Sequence, residues 1–224
     1  MTTPSALDHR PEWLAPLSDA RNETILSAAF DMFVEKGLNG ATMLDIATRA
    51  RVSKETLYNR FDSKEGLFYA LLAWGARRLP QAEDALGAGA IADPVAALYA
   101  YGRECLRLML KPEAIAMYRV VLGVADQMPE VARVYDDFTC GAGAAITTRL
   151  AQALDAAGVC RIADIDEFND AFIGLLRANL HHKLALGLAP QPDDATTDAW
   201  ADIAISRLLA AYAPARIPGP VKGR

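Results

Sequence analysis

Histidine, cysteine and long apolar runs are all scarce in this 224-residue chain, and each scarcity removes a class of function. The histidines are His9 and the adjacent pair His181-His182. Neighbours on a helix point about 100° apart, and no Glu or Cys four residues away completes a ligand set, so no metal site is expected. No HExxH, Gly-rich phosphate loop or Ser/His/Asp arrangement occurs either, and the expectation is a protein that is not an enzyme and carries no cofactor. Cys105, Cys140 and Cys160 are odd in number and have no CxxC spacing, which points to free thiols in a reducing compartment. The charge-free stretch Gly66–Ala76 is eleven residues, short of the roughly 18 that a membrane span needs. Asp8, His9, Arg10 and Glu12 interrupt the first twenty residues, so no secretory leader is expected and the cytoplasm is the expected location. Long β-branched runs are few, Ala and Leu dominate, and the fold class expected is all-α, with about nine or ten helices.

Net charge is −5, which by itself argues against nucleic acid. Its distribution reverses that. Residues 1–80 hold ten basic and ten acidic side chains, and the segment 42–64 carries a small positive excess. Screening confines a surface field to about 8–10 Å, so local sign decides phosphate contact.

The segment 42–67, TMLDIATRARVSKETLYNRFDSKEGL, carries the densest pattern. Thr42 is a good N-cap, and Met43, Ile46, Ala47 and Ala50 recur at helical spacing behind it. A turn over Ala50–Val52 leads to Ser53, the cap of a second helix on which Leu57 and Phe61 face inward. Lys54, Glu55, Thr56, Tyr58, Asn59 and Arg60 are expected outside. Ser63 then caps a third helix that runs on to about Ala76. Two short helices packed through small residues, the second with a Tyr/Asn/Arg-bearing outer face, suit a helix-turn-helix.

Ile46-Ala47, Val52-Ser53-Lys54, Thr56-Leu57-Tyr58, Phe61 and Ser63-Lys64-Glu65-x-Leu67, with Ile25–Phe33 and Glu35-Lys36-Gly37 upstream, resemble the signature of TetR-family transcriptional regulators. The turn position that this family usually gives to Gly is Arg51 here. The resemblance covers roughly residues 20–70 and implies an N-terminal three-helix DNA-binding domain with a C-terminal helical ligand-binding and dimerisation domain. Boundaries follow as a disordered arm 1–17, a reader 18–66, an effector and dimerisation domain 67–213, and a disordered tail 214–224. DNA contacts are expected from Thr42, Ser53, Lys54, Thr56, Tyr58, Asn59 and Lys64. The implied partners are a pseudo-palindromic double-stranded operator, a second copy of the chain, and a small lipophilic effector that releases the DNA.

Beyond residue 67 the helices opening at Pro94, Pro112 and Pro129 carry more apolar residues than one buried stripe each requires. Trp74, Tyr99, Cys105, Met109, Tyr118 and Leu122 could be plain core or, by the resemblance, the lining of an effector pocket. Arg103, Arg107 and Arg119 are the nearby cations, and one turned inward would favour an acidic ligand. The Gly/Ala-rich segment 143–154 and the long helix from Asp164 to Gly187 are the expected dimer interface, with Phe172 and Leu176 crossing it. The competing readings are an enzyme with its pocket in the C-terminal helices and a protein–protein adaptor.

Overall fold

The computed structural model describes residues 20–76, 91–137, 139 and 142–214. The expected arm 1–17, the bend near Arg77, Arg78 and Pro80, the loop glycines Gly87 and Gly89, Phe138, Cys140 and the tail from 215 onward lie outside them. Among the described residues there are ten helices and no strand: α1 Ala20–Gly40, α2 Met43–Ala50, α3 Lys54–Phe61, α4 Lys64–Ala76, α5 Pro94–Met109, α6 Pro112–Leu122, α7 Pro129–Asp136, α8 Ala142–Ala156, α9 Ile165–Ala185 and α10 Asp194–Ala211. The all-α expectation holds. None of the described helices is long and apolar enough to cross a membrane.

Caps and breakers set these boundaries. Asp93 accepts from Ala96 N at 2.9 Å, with Pro94 opening α5, and Asp193 accepts from Thr196 N at 2.7 Å to start α10. Pro112 and Pro129 open α6 and α7. Within α1 the regular dihedrals stop at Gly37 (φ 70°, ψ 167°), beyond what a residue with a Cβ tolerates, and the helical bonding resumes with Ala41 N to Gly37 O.

The chain divides into two compact units. One comprises α1–α4, α6, α7 and residues 183–190. Its core gathers Ile25, Leu26, Phe33, Ile46, Leu57, Phe61, Leu67, Phe68, Met117, Val121 and Val131 in one cluster, with Phe33 edge-on to Phe68 at 5.4 Å. α1 packs on α2, α4 and α6, and α4 also on α3 and α7. That explains why α4 buries Leu67, Phe68, Ala70, Leu71, Leu72 and Ala73 almost all the way round.

The other unit holds α5, α10, most of α8 and α9 through His182. α5 and α10 run antiparallel along a polar ladder. Tyr99 Oη meets Ser206 Oγ at 2.8 Å, Arg103 grips Asp202 at 2.7 and 2.8 Å, and Arg107 grips Asp198 at 2.8 and 2.5 Å. Beneath it Gly102 lets the helices close, since a Cβ there would stand 2.8 Å from the Ile205 side chain. Tyr101 stacks on Phe172 at 5.7 Å, and Phe168 meets Tyr212 edge-on at 5.1 Å. Burial pushes the Cys105 thiol up to about 11, against the pull of the Tyr101 hydroxyl, so it stays protonated at neutral pH. Cys105 and Cys160 are free thiols.

One expectation needs correction here. Phe172 (1% exposed) and Leu176 (2% exposed) do not cross to a second subunit; they fill the core of their own. Among its described residues, the large apolar side chains that this unit leaves exposed are Trp200 and Ile203, both on α10. A long apolar helix announces burial, but its pattern is the same whether a neighbour in the chain or a second copy covers it.

Candidate nucleic-acid interface

α2 and α3 are held by caps that the sequence spells out. Thr42 Oγ1 accepts from Asp45 N at 3.1 Å, and Ser53 Oγ accepts from Thr56 N at 3.0 Å. Between them Arg51 sits at φ 55°, ψ 42°. Its N–H donates to Thr48 O at 3.2 Å and Val52 N–H to Ala47 O at 3.0 Å, the paired bonds of a Schellman ending. A left-handed residue other than Gly costs about 1–2 kcal/mol, and Gly itself loses roughly 0.5–1 kcal/mol of chain entropy. Arg51→Gly is therefore expected to stabilise the protein by about 0.5–1 kcal/mol, read as a higher urea midpoint. A lower midpoint would mean that the arginine side chain contributes more than its backbone costs.

α3 presents two faces. Leu57 and Phe61 are buried against the head, while Ser53, Lys54, Tyr58 and Asn59 are exposed. Lys54 Nζ lies 5.5 Å from the centre of the Tyr58 ring, a cation–π contact that gathers ammonium and phenol on one side. Thr56 is half-buried, its Oγ1 2.8 Å from Ser53 Oγ. Thr42 is exposed at the start of α2, beside exposed Leu44.

Two cations behave otherwise than their spacing suggests. Arg60 is turned from the outer face, half-buried, with Nη1 donating to Oδ1 of buried Asn22 at 2.5 Å. Lys64 is half-buried, and its Nζ donates to Ala41 O at 3.2 Å and Asn39 O at 3.4 Å, pinning the turn between α1 and α2. Nor do Arg49 and Lys36 stand alone. Arg49 makes a bidentate pair with Glu35 at 2.6 and 2.9 Å, and Lys36 meets Asp45 at 3.0 Å. Each pair holds its carboxyl below the ordinary carboxylate range. Exposed Arg51 and Lys54 flank Ser53 on the side where α3 begins. Arg51 was not singled out from the sequence as a contact, although its place in the turn was the available signal.

The six expected effector residues are divided between the two units. Trp74, Tyr118 and Leu122 belong to the unit that contains the head, where Leu122 is 56% exposed and the Tyr118 ring lies 6.3 Å from Tyr135. Tyr99, Cys105 and Met109 share α5 in the other unit. Of the three arginines, Arg103 and Arg107 are spent on the ladder to α10, and Arg119 donates to Ala185 O at 2.7 Å and Leu184 O at 2.6 Å. His181 is buried, which with Arg177 and His182 pushes its imidazole pKa down. Among the described residues no three His, Cys, Asp or Glu side chains gather to hold a metal ion.

Residues 25–71 match the family described as bacterial regulatory proteins, tetR family, and residues 96–214 match the AefR-like transcriptional repressor C-terminal domain. The transcriptional activator FasR of Mycolicibacterium smegmatis is 46% identical over 54 residues, 24% of this chain and 25% of that protein. The transcriptional repressor BepR of Brucella suis is 36% identical over 72 residues, 32% of this chain and 34% of that one. The chain thus spans about a third or less of the length of the curated relatives it matches. Over nearly the whole chain it is similar to the solved flavonoid-responsive regulator FrrA, with a TM-score of 0.67 and 26% identity across 88% of this chain and 98% of that one. A capped two-helix reader, the family match over it, and a second family match over more than half of the chain lead to one conclusion: the protein belongs to the TetR family of transcriptional regulators.

Proposed function

We propose that this regulator is a cytoplasmic, homodimeric repressor that binds a pseudo-palindromic operator and leaves it when a small lipophilic molecule binds within residues 67–213. The observation that carries the reading is the α3 surface, with exposed Lys54, Tyr58 and Asn59 backed by buried Leu57 and Phe61. In this reading α3 enters the major groove. Asn59 pairs with an adenine, its amide oxygen accepting from N6–H and its amide NH2 donating to N7, and Thr42, Ser53, Lys54 and Tyr58 engage phosphates. Thr56 and Lys64 act through the cap and the turn that they hold. One eight-residue helix reads only half a site, so two heads are needed. Trp200 and Ile203, three apart on α10, and the open face at Gly174 on α9 support a helical dimer interface there. For the effector, the candidate residues are Trp74, Tyr118 and Leu122 in one unit and Tyr99, Cys105 and Met109 in the other, and the similarity to a flavonoid-responsive regulator supports a planar aromatic molecule.

Fluorescence anisotropy on duplexes from the DNA upstream of the protein's own gene tests this. Asn59→Ala is expected to relax the preference at one base pair per half-site, at about 1–3 kcal/mol. Lys54→Ala is expected to weaken all sequences alike and to lower the salt slope by about one unit. If both variants bind every duplex as the wild type does, α3 is not the reading helix.

A further inference from the structure

We infer that the cleft between α1 and α6 is a binding site for a small organic carboxylate with an apolar body, separate from the effector candidates on α5. The cleft has a volume of about 280 Å³. That is just below the range of about 300–1,000 Å³ that drug-sized ligands occupy, so its occupant is small. Val34, Leu38, Val120 and Val124 form apolar walls, and Lys36 and Arg119 supply two cations. No Asp or Glu is among the described residues that line it.

Lys36 and Arg119 are the charged donors among the lining residues, and Asn39 also lines the cleft, its Nδ2 donating to Gln127 Oε1 at 2.8 Å. The carbonyls at the end of α6 are already met by backbone, Gly123 N–H bonding to Arg119 O at 3.0 Å and Val124 N–H to Val121 O at 3.1 Å. Arg119 is held in place by the two carbonyls that its Nε and Nη2 reach, Ala185 O and Leu184 O, so its side chain is fixed before a ligand arrives. Lys36 is the adjustable partner. Its Nζ rests on Asp45 at 3.0 Å in the first turn of α2, and a carboxylate in the cleft competes with Asp45 for it. Occupancy therefore exchanges an ion pair inside the protein for one with the ligand, and loosens a tie between α1 and α2.

Isothermal titration of the full-length protein with hexanoate, in the absence of DNA, tests the site directly, with hexan-1-ol and hexylamine as controls of equal length. Hexanoate is expected to bind one per chain, at least ten-fold tighter than either control. Lys36→Gln is expected to weaken it about ten-fold. Val34→Trp, at a position 42% exposed on the rim, is expected to abolish it while leaving the thermal midpoint within a degree or two. Equal binding of hexanoate and hexanol, unaltered binding by Val34→Trp, or no heat at millimolar hexanoate each overturns the inference. None of these readings depends on whether the protein represses.

Discussion

Gly66→Ala is expected to lower the stability of the head by about 2–4 kcal/mol, although alanine is the better helix former by roughly 1 kcal/mol. The reason lies in the junction between α3 and α4. Asp62 carries φ 62°, ψ −48°, and Ser63 N–H bonds back to Phe61 O at 2.6 Å, which makes a γ-turn centred on Asp62. Gly66 N–H then bonds to Ser63 Oγ at 3.0 Å, so the first turn of α4 folds directly over the end of α3. A Cβ at Gly66 would overlap the Phe61 carbonyl oxygen, a backbone atom that cannot rotate away. Relief requires α4 to lift from α3, which opens the contacts of Leu67 and Phe68, both fully buried. Urea unfolding of the full-length protein gives the number. A midpoint equal to or above that of the wild type would show that the junction yields without cost, and the account of this turn would be wrong.

Phe172→Glu is expected to leave a protein that does not fold cooperatively, not a folded monomer. Removing a buried phenylalanine costs about 3–5 kcal/mol. A carboxylate in its place adds the penalty of an unpaired buried charge, or of the protonation that avoids it. The ring stacks on Tyr101, itself buried enough for its phenol pKa to be driven up, so no polar rescue is at hand. Ile203→Glu, at 49% exposure on α10, is the counterpart: normal helicity and a normal melt, with the oligomer lost if that face is the interface. Circular dichroism melts and size-exclusion chromatography of both variants separate the cases. A well-folded, monomeric Phe172→Glu protein would restore this residue to the interface.

These two sites mark where sequence reading ends. Helix order, the caps at Thr42, Ser53 and Asp93, the proline-led starts of α6 and α7 and the inward Leu57 and Phe61 were legible, because each depends on residues within a few positions of one another. The strained turn at Arg51 was legible for the same reason. What failed to show was anything decided by a second helix. Arg60 has the spacing of an exposed residue, and only the buried Asn22 on α1, 38 positions away, turns it inward. Lys64 reads as a free cation at a helix start, yet the carbonyls of Asn39 and Ala41 claim it. Gly66 reads as an indifferent helical glycine until the Phe61 oxygen is placed beside it. The effector residues were chosen by their chemistry and by the family resemblance, and their division between two compact units could not be seen along the chain.

The ladder between α5 and α10 has a property that its individual bonds hide. α10 offers acids at Asp194, Asp198 and Asp202, one turn apart, while α5 offers only Arg103 and Arg107. The acidic row is one rung longer than the basic row. A slip of α10 along α5 by one turn, about 5.4 Å, would pair Arg103 with Asp198 and Arg107 with Asp194 and leave the count of ion pairs unchanged. Charge therefore does not choose between the two registers. Shape does, because the slip would take Ile205 out of the notch at Gly102 and drive it toward Leu98, which is already fully buried. In this unit one missing methyl group, not two salt bridges, tells the helices where to stop.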